Sequence, residues 1–467
     1  MNTDVKRQSI IKEFNNCIIW DKRCLKSIKK IALKLINSNG QSFSAASGKS
    51  LRQCGGRILS DKRMTTEKIQ EGHLKETLKR IKKDKVLLIP QDTTYFNYTG
   101  HQATTGLGNI GPSEKQYGLI AHTAMILNEE GLTYGILSQK IWSRGTQARG
   151  KKHQRKEKAI EDKESIKWLE PIEICTEKIP LDKHEVWLIG DRESDIYEYM
   201  IKPRHQNCHL LIRACQPRRL YKESSENPIT LFNYIKTLPI KANKQVELSR
   251  GNRTETIELT VSYENIQIMR PETWKSKTQP PTISMGLVYA REKENRKDGQ
   301  GNKKDSIEWI LLVDKKIEDT EEAIKYLDYY TQRWKIERFH FALKQGLKVE
   351  QLQFDDAKTL SNAIAFYSVL AWFTQWITYL GRIKPTLAAE EVVDNLSIEI
   401  LEAFIKKKVK NAYDVMMTIG ILGGFIGGSK RYPFPGLKSI WQGITKLEFM
   451  KQGWLLAKSQ SLNNYAT

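Results

Sequence analysis

Residues 85–94 read KVLLIPQDTT. An unbroken apolar run is followed at once by Gln91, Asp92 and two threonines. A run this short, closed by polar residues, predicts a strand buried on both faces and ending on Asp92. The texture before it is different. DKRCLKSIKKIALKLI (21–36) has the spacing of an amphipathic helix with a basic face. A polar connector follows, NSNGQSFSAASGKS (37–50), and further helices fill 51–83, ending in KETLKRIKKDK. The chain therefore switches from helix to sheet at about residue 86.

Beyond that point, YGLIAHTAMILN (117–128) and LTYGILSQKIW (132–142) are spaced as hairpin partners. SRGTQARGKKHQRKEKAIEDKES (143–165) carries a basic run before turning helical. EVWLIGDRESD (185–195) predicts another buried strand, ending on Asp191, and HLLIRAC (209–215) a further one. Strands, a helix and more strands make a mixed α/β sheet. Residues 217–308 form a second, β-rich block. It holds a hairpin around Gly251-Asn252, the strand QPPTISMGLVYARE, the hydrophilic loop KENRKDGQGNKKD and the strand SIEWILLVDKK. This block is expected to be an insertion in the α/β domain. After Glu337 the chain is expected to be helical to its end, with a Gly-rich turn at GGFIGGSKRYPFPG (423–436). The division that follows is 1–85, 86–384 with an insertion at about 217–308, and 385–467.

The charge narrows the function. The chain carries a formal net charge of +22 over 467 residues, and its pI is about 9.5. Residues 1–90 hold 21 Lys and Arg against 8 Asp and Glu, so the small helical N-terminal segment carries over half of the excess. A surface of this sign calls for a polyanion, either nucleic acid or an anionic membrane. A basic helical segment is a common DNA-reading device, although a merely soluble cap would have the same composition. The longest apolar run, AIAFYSVLAWFTQWITYL (363–380), is nearly long enough to span a bilayer. Ser368, Thr374, Gln375 and Thr378 interrupt it, which favours a buried core helix and leaves nucleic acid as the partner. The N-terminus has no apolar signal region. The six cysteines show no CxxC pair and no zinc spacing, consistent with reduced thiols in the cytoplasm.

Residues 330–344, YTQRWKIERFHFALK, contain no Gly or Pro and are rich in helix formers. At ~100° per residue, Arg333, Glu337 and Lys344 fall roughly 300°, 340° and 320° from Tyr330. One helix would then carry an aromatic hydroxyl, a carboxylate and two cations on one narrow stripe. A solvated face with i,i+4 ion pairs would look the same. Asp92 and Asp191 add a second consideration, because strand-end carboxylates are placed to face a cleft. Together with a helical carboxylate they could hold two divalent cations about 4 Å apart. Hard oxygen ligands suit Mg²⁺ or Mn²⁺, with one ion activating water or a 3′-hydroxyl and the other stabilising the leaving oxygen. Each acid taken alone would pass for an ordinary surface carboxylate.

Three blocks carry a family resemblance: QDTTYFNYTGH, IGDRESDIYEYM and YTQRWKIERFHFALKQG. They resemble those of bacterial cut-and-paste insertion-sequence transposases of the DDE type. The third block matches the signature Tyr-x2-Arg-x3-Glu-x6-Lys, and the likeness extends over nearly the whole chain, most weakly at 216–305 and 385–420. The resemblance implies a ribonuclease H-like catalytic domain with a β-rich insertion, flanked by a helical DNA-binding domain and a helical dimerisation domain. It implies that Asp92, Asp191 and Glu337 are the catalytic, metal-binding triad, holding two Mg²⁺ or Mn²⁺ ions. Tyr330, Arg333 and Lys344 would grip the DNA end beside the scissile phosphate. Arg213 would contact a further phosphate, and Trp309 would stack on a base flipped out of the duplex, unless it is simply buried in its strand. In the N-terminal segment, where the family has a D-x-R-L-type spacing, this chain has DKRCLKSIKK. Lys22, Arg23, Lys26, Lys29, Lys30 and Arg57 are the DNA-contact candidates there. The activity implied is cutting of transposon ends through a hairpin and joining to target DNA, by a homodimer working at the nucleoid in the cytoplasm. The alternatives are a non-catalytic DNA-binding regulator and a metal-dependent nuclease without strand transfer.

Overall fold

The computed structural model describes residues 10–36, 43–111, 115–145, 160–221, 228–250, 253–272, 280–293, 306–427 and 433–464. The hairpin tip at Gly251-Asn252, residues 37–42 of the polar connector, 146–159 of the basic run, 294–305 of the hydrophilic loop and 428–432 of the Gly-rich turn lie outside them. The chain is mixed α/β, with a large mixed sheet and helices at both ends. It divides into two compact units. One comprises Met1–Lys83, Thr93–Ala148 and Lys335–Thr467; the other comprises Asp84–Asp92 and Arg149–Trp334. The first therefore draws on all three segments expected from the sequence.

The second unit is built on parallel strands. The first residues of Val86–Asn97 pair with Glu185–Gly190, from Val86↔Glu185 to Pro90↔Ile189. Glu185–Gly190 pairs in turn with Cys208–Arg213, from Val186↔Cys208 to Gly190↔Ile212. Leu87, Leu88, Ile89, Leu188 and Leu211 are wholly buried. Burial on both faces is what lets the apolar runs be continuous rather than alternating. The sheet then turns antiparallel. Glu308–Val313 joins Cys208–Arg213 at Leu311↔Arg213, and Thr282–Glu292, Arg253–Met269 and Ala242–Arg250 follow in order. These are the strands of the expected β-rich block.

One expectation needs correcting: the first strand does not stop at Asp92. It runs on to Asn97, and its last residues belong to the first unit, where the Tyr98 N–H donates to the Tyr117 carbonyl (2.9 Å). Continued ladder pairing, rather than the apolar run, sets the strand's length.

In the first unit, the hairpin Tyr117–Leu127/Thr133–Trp142 is antiparallel. The expected N-terminal helices are present as Lys22–Ile36, Phe43–Ser60 and Thr66–Arg80. Thr66–Arg80 lies so close to the second hairpin strand that a Cβ at Gly135 would run into Thr77 Oγ1. The apolar helix Ala357–Ile383 is long and apolar enough to cross a membrane, but 94% of its apolar window is buried inside the protein. Its polar interruptions are used internally. Gln375 Nε2 donates to the Lys335 carbonyl (2.7 Å), and Ser368 and Thr378 bond back to the preceding turn. The N-terminal helices share this core. Asn362 donates to the Leu59 carbonyl (2.8 Å), and Gln70 donates to the Ala365 carbonyl (3.2 Å).

A buried charge cluster joins the same elements. Glu13 accepts from Arg80 through both oxygens (2.8 and 3.1 Å) and meets His73 Nδ1 at 2.6 Å. The Ile136 N–H donates to His73 Nε2 (2.9 Å), which leaves the ring proton on Nδ1, directed at Glu13. The Arg80 guanidinium lies 4.4 Å over the Trp372 ring and also donates to the Tyr134 carbonyl. Burial would raise the Glu13 pKa, but Arg80 and His73 together hold it below the usual carboxylate range.

Candidate active site

Pro90↔Ile189 is the last paired position of the two parallel strands, and Asp92 and Asp191 each lie two residues beyond it. Alternation along the strand separates the neighbours. Gln91 is buried and donates to the Tyr199 hydroxyl (3.0 Å), whereas Asp92 is half-exposed. Asp191 caps the short turn Arg192–Ser194, its Oδ1 accepting from the Glu193 N–H (2.9 Å). The turn folds back tightly, with the Ser194 hydroxyl donating to the Asp191 carbonyl (2.6 Å). A Cβ at residue 190 would collide with that serine, so Gly190 is required there.

The electrostatics of this strand end are unbalanced. Burial raises the Asp191 pKa and the Asp92 charge raises it further, while Arg333 pulls it down. A carboxylate whose ionisation is hindered by burial and by a second carboxylate nearby is one that a hard cation would relieve. The two aspartates offer hard oxygen donors of the kind Mg²⁺ or Mn²⁺ takes. Among the described residues no three His, Cys, Asp or Glu side chains are grouped as a metal site.

The same unit holds Tyr330, Arg333, Arg213 and Trp309. Tyr330, on the helix Thr320–Thr331, is buried and its hydroxyl has no hydrogen-bond partner among the described residues. Burial raises its pKa, opposed by Arg333 and Arg213. Trp309 meets the Tyr330 ring edge-on at 5.3 Å, and Arg333 lies 5.9 Å from the same ring. Arg213 donates to the Glu308 carbonyl (2.9 Å) next to Trp309 in the chain. Trp309 is half-buried, between the two roles considered for it. Asp92, Asp191, Arg333, Tyr330, Arg213 and Trp309 are thus linked pairwise.

Glu337 and Lys344 lie in the first unit. The expectation of a single helix carrying all four residues on one stripe is not met. The helix ends at Thr331, a turn at Gln332 and Arg333 intervenes, and a new helix runs over Trp334–Phe341. A π-turn, Ala342–Gly346, follows. The backbone bonds give the reason. Gln332 and Arg333 donate three residues back, to Tyr329 and Tyr330, whereas Leu347 donates five back, to Ala342. The tight turn and the wide turn each break the 100° step. Glu337 is exposed. Lys344 Nζ donates to the Tyr95 carbonyl (2.6 Å) and lines an open groove of about 680 Å³ with Tyr95, Asn97, Gln116, Arg144 and Glu350. Arg144 belongs to a basic stretch in the sequence, but nothing there pairs it with Lys344.

Sequence reasoning also missed Asp195. Its buried carboxylate accepts from the Cys215 and Gln216 N–H groups (both 2.7 Å) and from Arg218 (2.6 and 2.9 Å), bracing the chain just past the Asp191 turn. In the N-terminal segment, Lys22, Arg23, Lys26, Lys30 and Arg57 are exposed and Lys29 is half-buried.

No protein-family model matches the chain. Among solved structures, it is similar to a piggyBac transposase synaptic complex with hairpin DNA, determined by cryo-EM, at 11% identity and a TM-score of 0.36. The match covers 83% of this chain and 72% of that one. At that score it carries no argument about fold or activity.

Proposed function

We propose that the chain is a DNA transposase of the DDE type, with a ribonuclease H-like catalytic domain. The observation that carries this reading is the placement of Asp92 and Asp191, each two residues past the last paired position of adjacent parallel strands, where burial and the Asp92 charge disfavour the Asp191 anion and Arg333 favours it. The sequence signature adds Glu337 as the third carboxylate. With two Mg²⁺ or Mn²⁺ ions bound, the triad would supply an activated water or 3′-hydroxyl and a stabilised leaving oxygen. Arg333 and Arg213 offer planar forks for phosphate oxygens, Lys344 a point charge and Tyr330 a hydroxyl. Trp309 offers a face on which an unstacked base can rest during hairpin formation. Residues 1–85 would bind transposon ends and 385–467 would pair two protomers, so that both ends are cut and joined in one complex at the nucleoid.

The test uses duplexes bearing the inverted repeats that flank the gene, with Mg²⁺ and a target plasmid. Hairpin ends and joined products are expected, and both are lost in Asp92→Ala, Asp191→Ala and Glu337→Ala while end binding persists. Cutting without joining would replace the proposal with a nuclease. Binding without cutting would replace it with a regulator.

A further inference from the structure

The tripeptide Asp-Lys-Arg occurs twice in the N-terminal segment, at 21–23 and 61–63, each time just ahead of or at the start of a helix. The two copies fold alike. The Arg23 N–H donates to Asp21 Oδ1 (2.7 Å) and the Arg63 N–H to Asp61 Oδ1 (2.9 Å). Each guanidinium then returns to the same carboxylate. Arg63 does so through Nε to Oδ1 (2.9 Å) and Nη2 to Oδ2 (2.8 Å), and Arg23 through Nε (3.2 Å) and Nη2 (3.0 Å) to Oδ2. In both, the Nε/Nη2 edge is held and Nη1 has no partner among the described residues. The side chains are 60% and 92% exposed.

The Arg63 turn is fixed far more firmly than a solvated ion pair requires. Lys68 Nζ donates to the Arg63 carbonyl (2.7 Å) and Lys358 Nζ to the Lys62 carbonyl (3.0 Å), while Met64 is buried beneath. The guanidinium lies 4.1 Å from the centre of the Trp20 ring, which stands next to the other Asp-Lys-Arg copy. Arg63 and its backbone N–H hold the Asp61 pKa down to about 2, so the brace stays ionised. A neutral or mobile partner would leave the fork free to rotate. Here the fork is aimed and only its outer edge is open.

We propose that these turns are guanine-reading devices: Asp61 and Asp21 hold one edge of Arg63 and Arg23, and the open edge pairs with O6 and N7 of a guanine in the major groove. Two donors in one plane match those two acceptors, and no other base presents that pair there. Asp61 and Asp21 are positioning residues. This inference rests on the DNA-end reading above. Because both turns belong to the same compact unit, two guanines would be read by one protomer.

The experiment is selection of binding sites from a random duplex pool by the full-length protein and by Arg63→Lys, Arg63→Ala and Asp61→Asn. Lysine keeps the charge but not the fork. Arg63→Lys should keep its affinity for random duplex and its salt dependence, yet lose roughly 5- to 150-fold preference for guanine at one selected position. Replacing that guanine by 7-deazaguanine should weaken the wild type and leave Arg63→Lys unchanged. Asp61→Asn should relax the same position without loss on random duplex. If Arg63→Lys selects the same site with the same 7-deazaguanine penalty, or Arg63→Ala weakens all sequences equally with a shallower salt slope, the arginine is not reading a base. If the wild type selects no sequence over random duplex, the DNA-end reading fails, and this inference fails with it.

Discussion

Two charge clusters in this protein are built on opposite plans. In the first unit, Glu13, His73 and Arg80 satisfy one another completely, and the arginine is further stacked on Trp372. In the second, burial and the like charge of Asp92 both disfavour the Asp191 anion, whereas the Glu193 N–H and Arg333 favour it. A satisfied network contributes to holding a fold together. A frustrated one costs stability and persists where it serves chemistry.

The contrast is sharpest in variants that keep shape and remove charge. Asp191→Asn should lower cleavage on the order of 10³-fold or more, by removing a hard anionic ligand. Its melting temperature should hold or rise, because the like-charge repulsion is gone. Cleavage kinetics and thermal melting on the same preparation check both halves, and a large fall in melting temperature would make Asp191 a structural residue instead. Arg80→Met should do the reverse. It strands Glu13 in a buried site, at a cost of about 3–5 kcal/mol in urea unfolding, and any loss of cleavage should merely track the unfolded fraction.

Magnesium gives a smaller effect. A cation binding the native pair should stabilise the fold by about 2.7 kcal/mol at a hundred times its Kd. Melting with and without Mg²⁺ should show that gain in the wild type and little of it in Asp191→Asn. An equal gain in both proteins would place the ion elsewhere. The smallest effect is on pH. Burial lowers the His73 pKa from its usual 6.5, although Glu13 opposes this, so the folded state prefers the neutral ring. Below pH 6.5 the unfolded chain binds the proton first, and stability should fall with acidification by at most about 1.4 kcal/mol per pH unit. His73→Gln should flatten that slope between pH 6.5 and 5, as read by urea unfolding at each pH.

Much of the sheet was legible because VLLIP, VWLIG and HLLI can only be continuous if both faces are buried. Asp191 at a strand end was legible for the same reason. The extension of the first strand to Asn97 was not, because the apolar run that marks the strand stops at Pro90, while the Thr, Tyr and Phe beyond it are paired with a neighbouring strand. The break at Gln332-Arg333 was hidden as well. No Gly or Pro marks it, and only backbone bonding distinguishes a three-residue turn from a continuing helix. Asp61-Lys62-Arg63 falls within the stretch 51–83 expected to be helical. Its meaning comes from Trp20 and Lys358, which lie about 40 residues before it and about 300 residues after it.

The shared core of the N-terminal helices sets a timetable for making the protein. Gln70 and Ala365, which hydrogen-bond in that core, lie 295 positions apart. A ribosome adding ~5–20 residues per second needs roughly 15–60 s to travel that far. Throughout that interval the helices that carry most of the excess charge have been synthesised, while the apolar helix that completes their core has not. The cationic N-terminal segment must therefore wait, incompletely packed, beside a polyanionic ribosome, until residues 357–383 emerge to close over it.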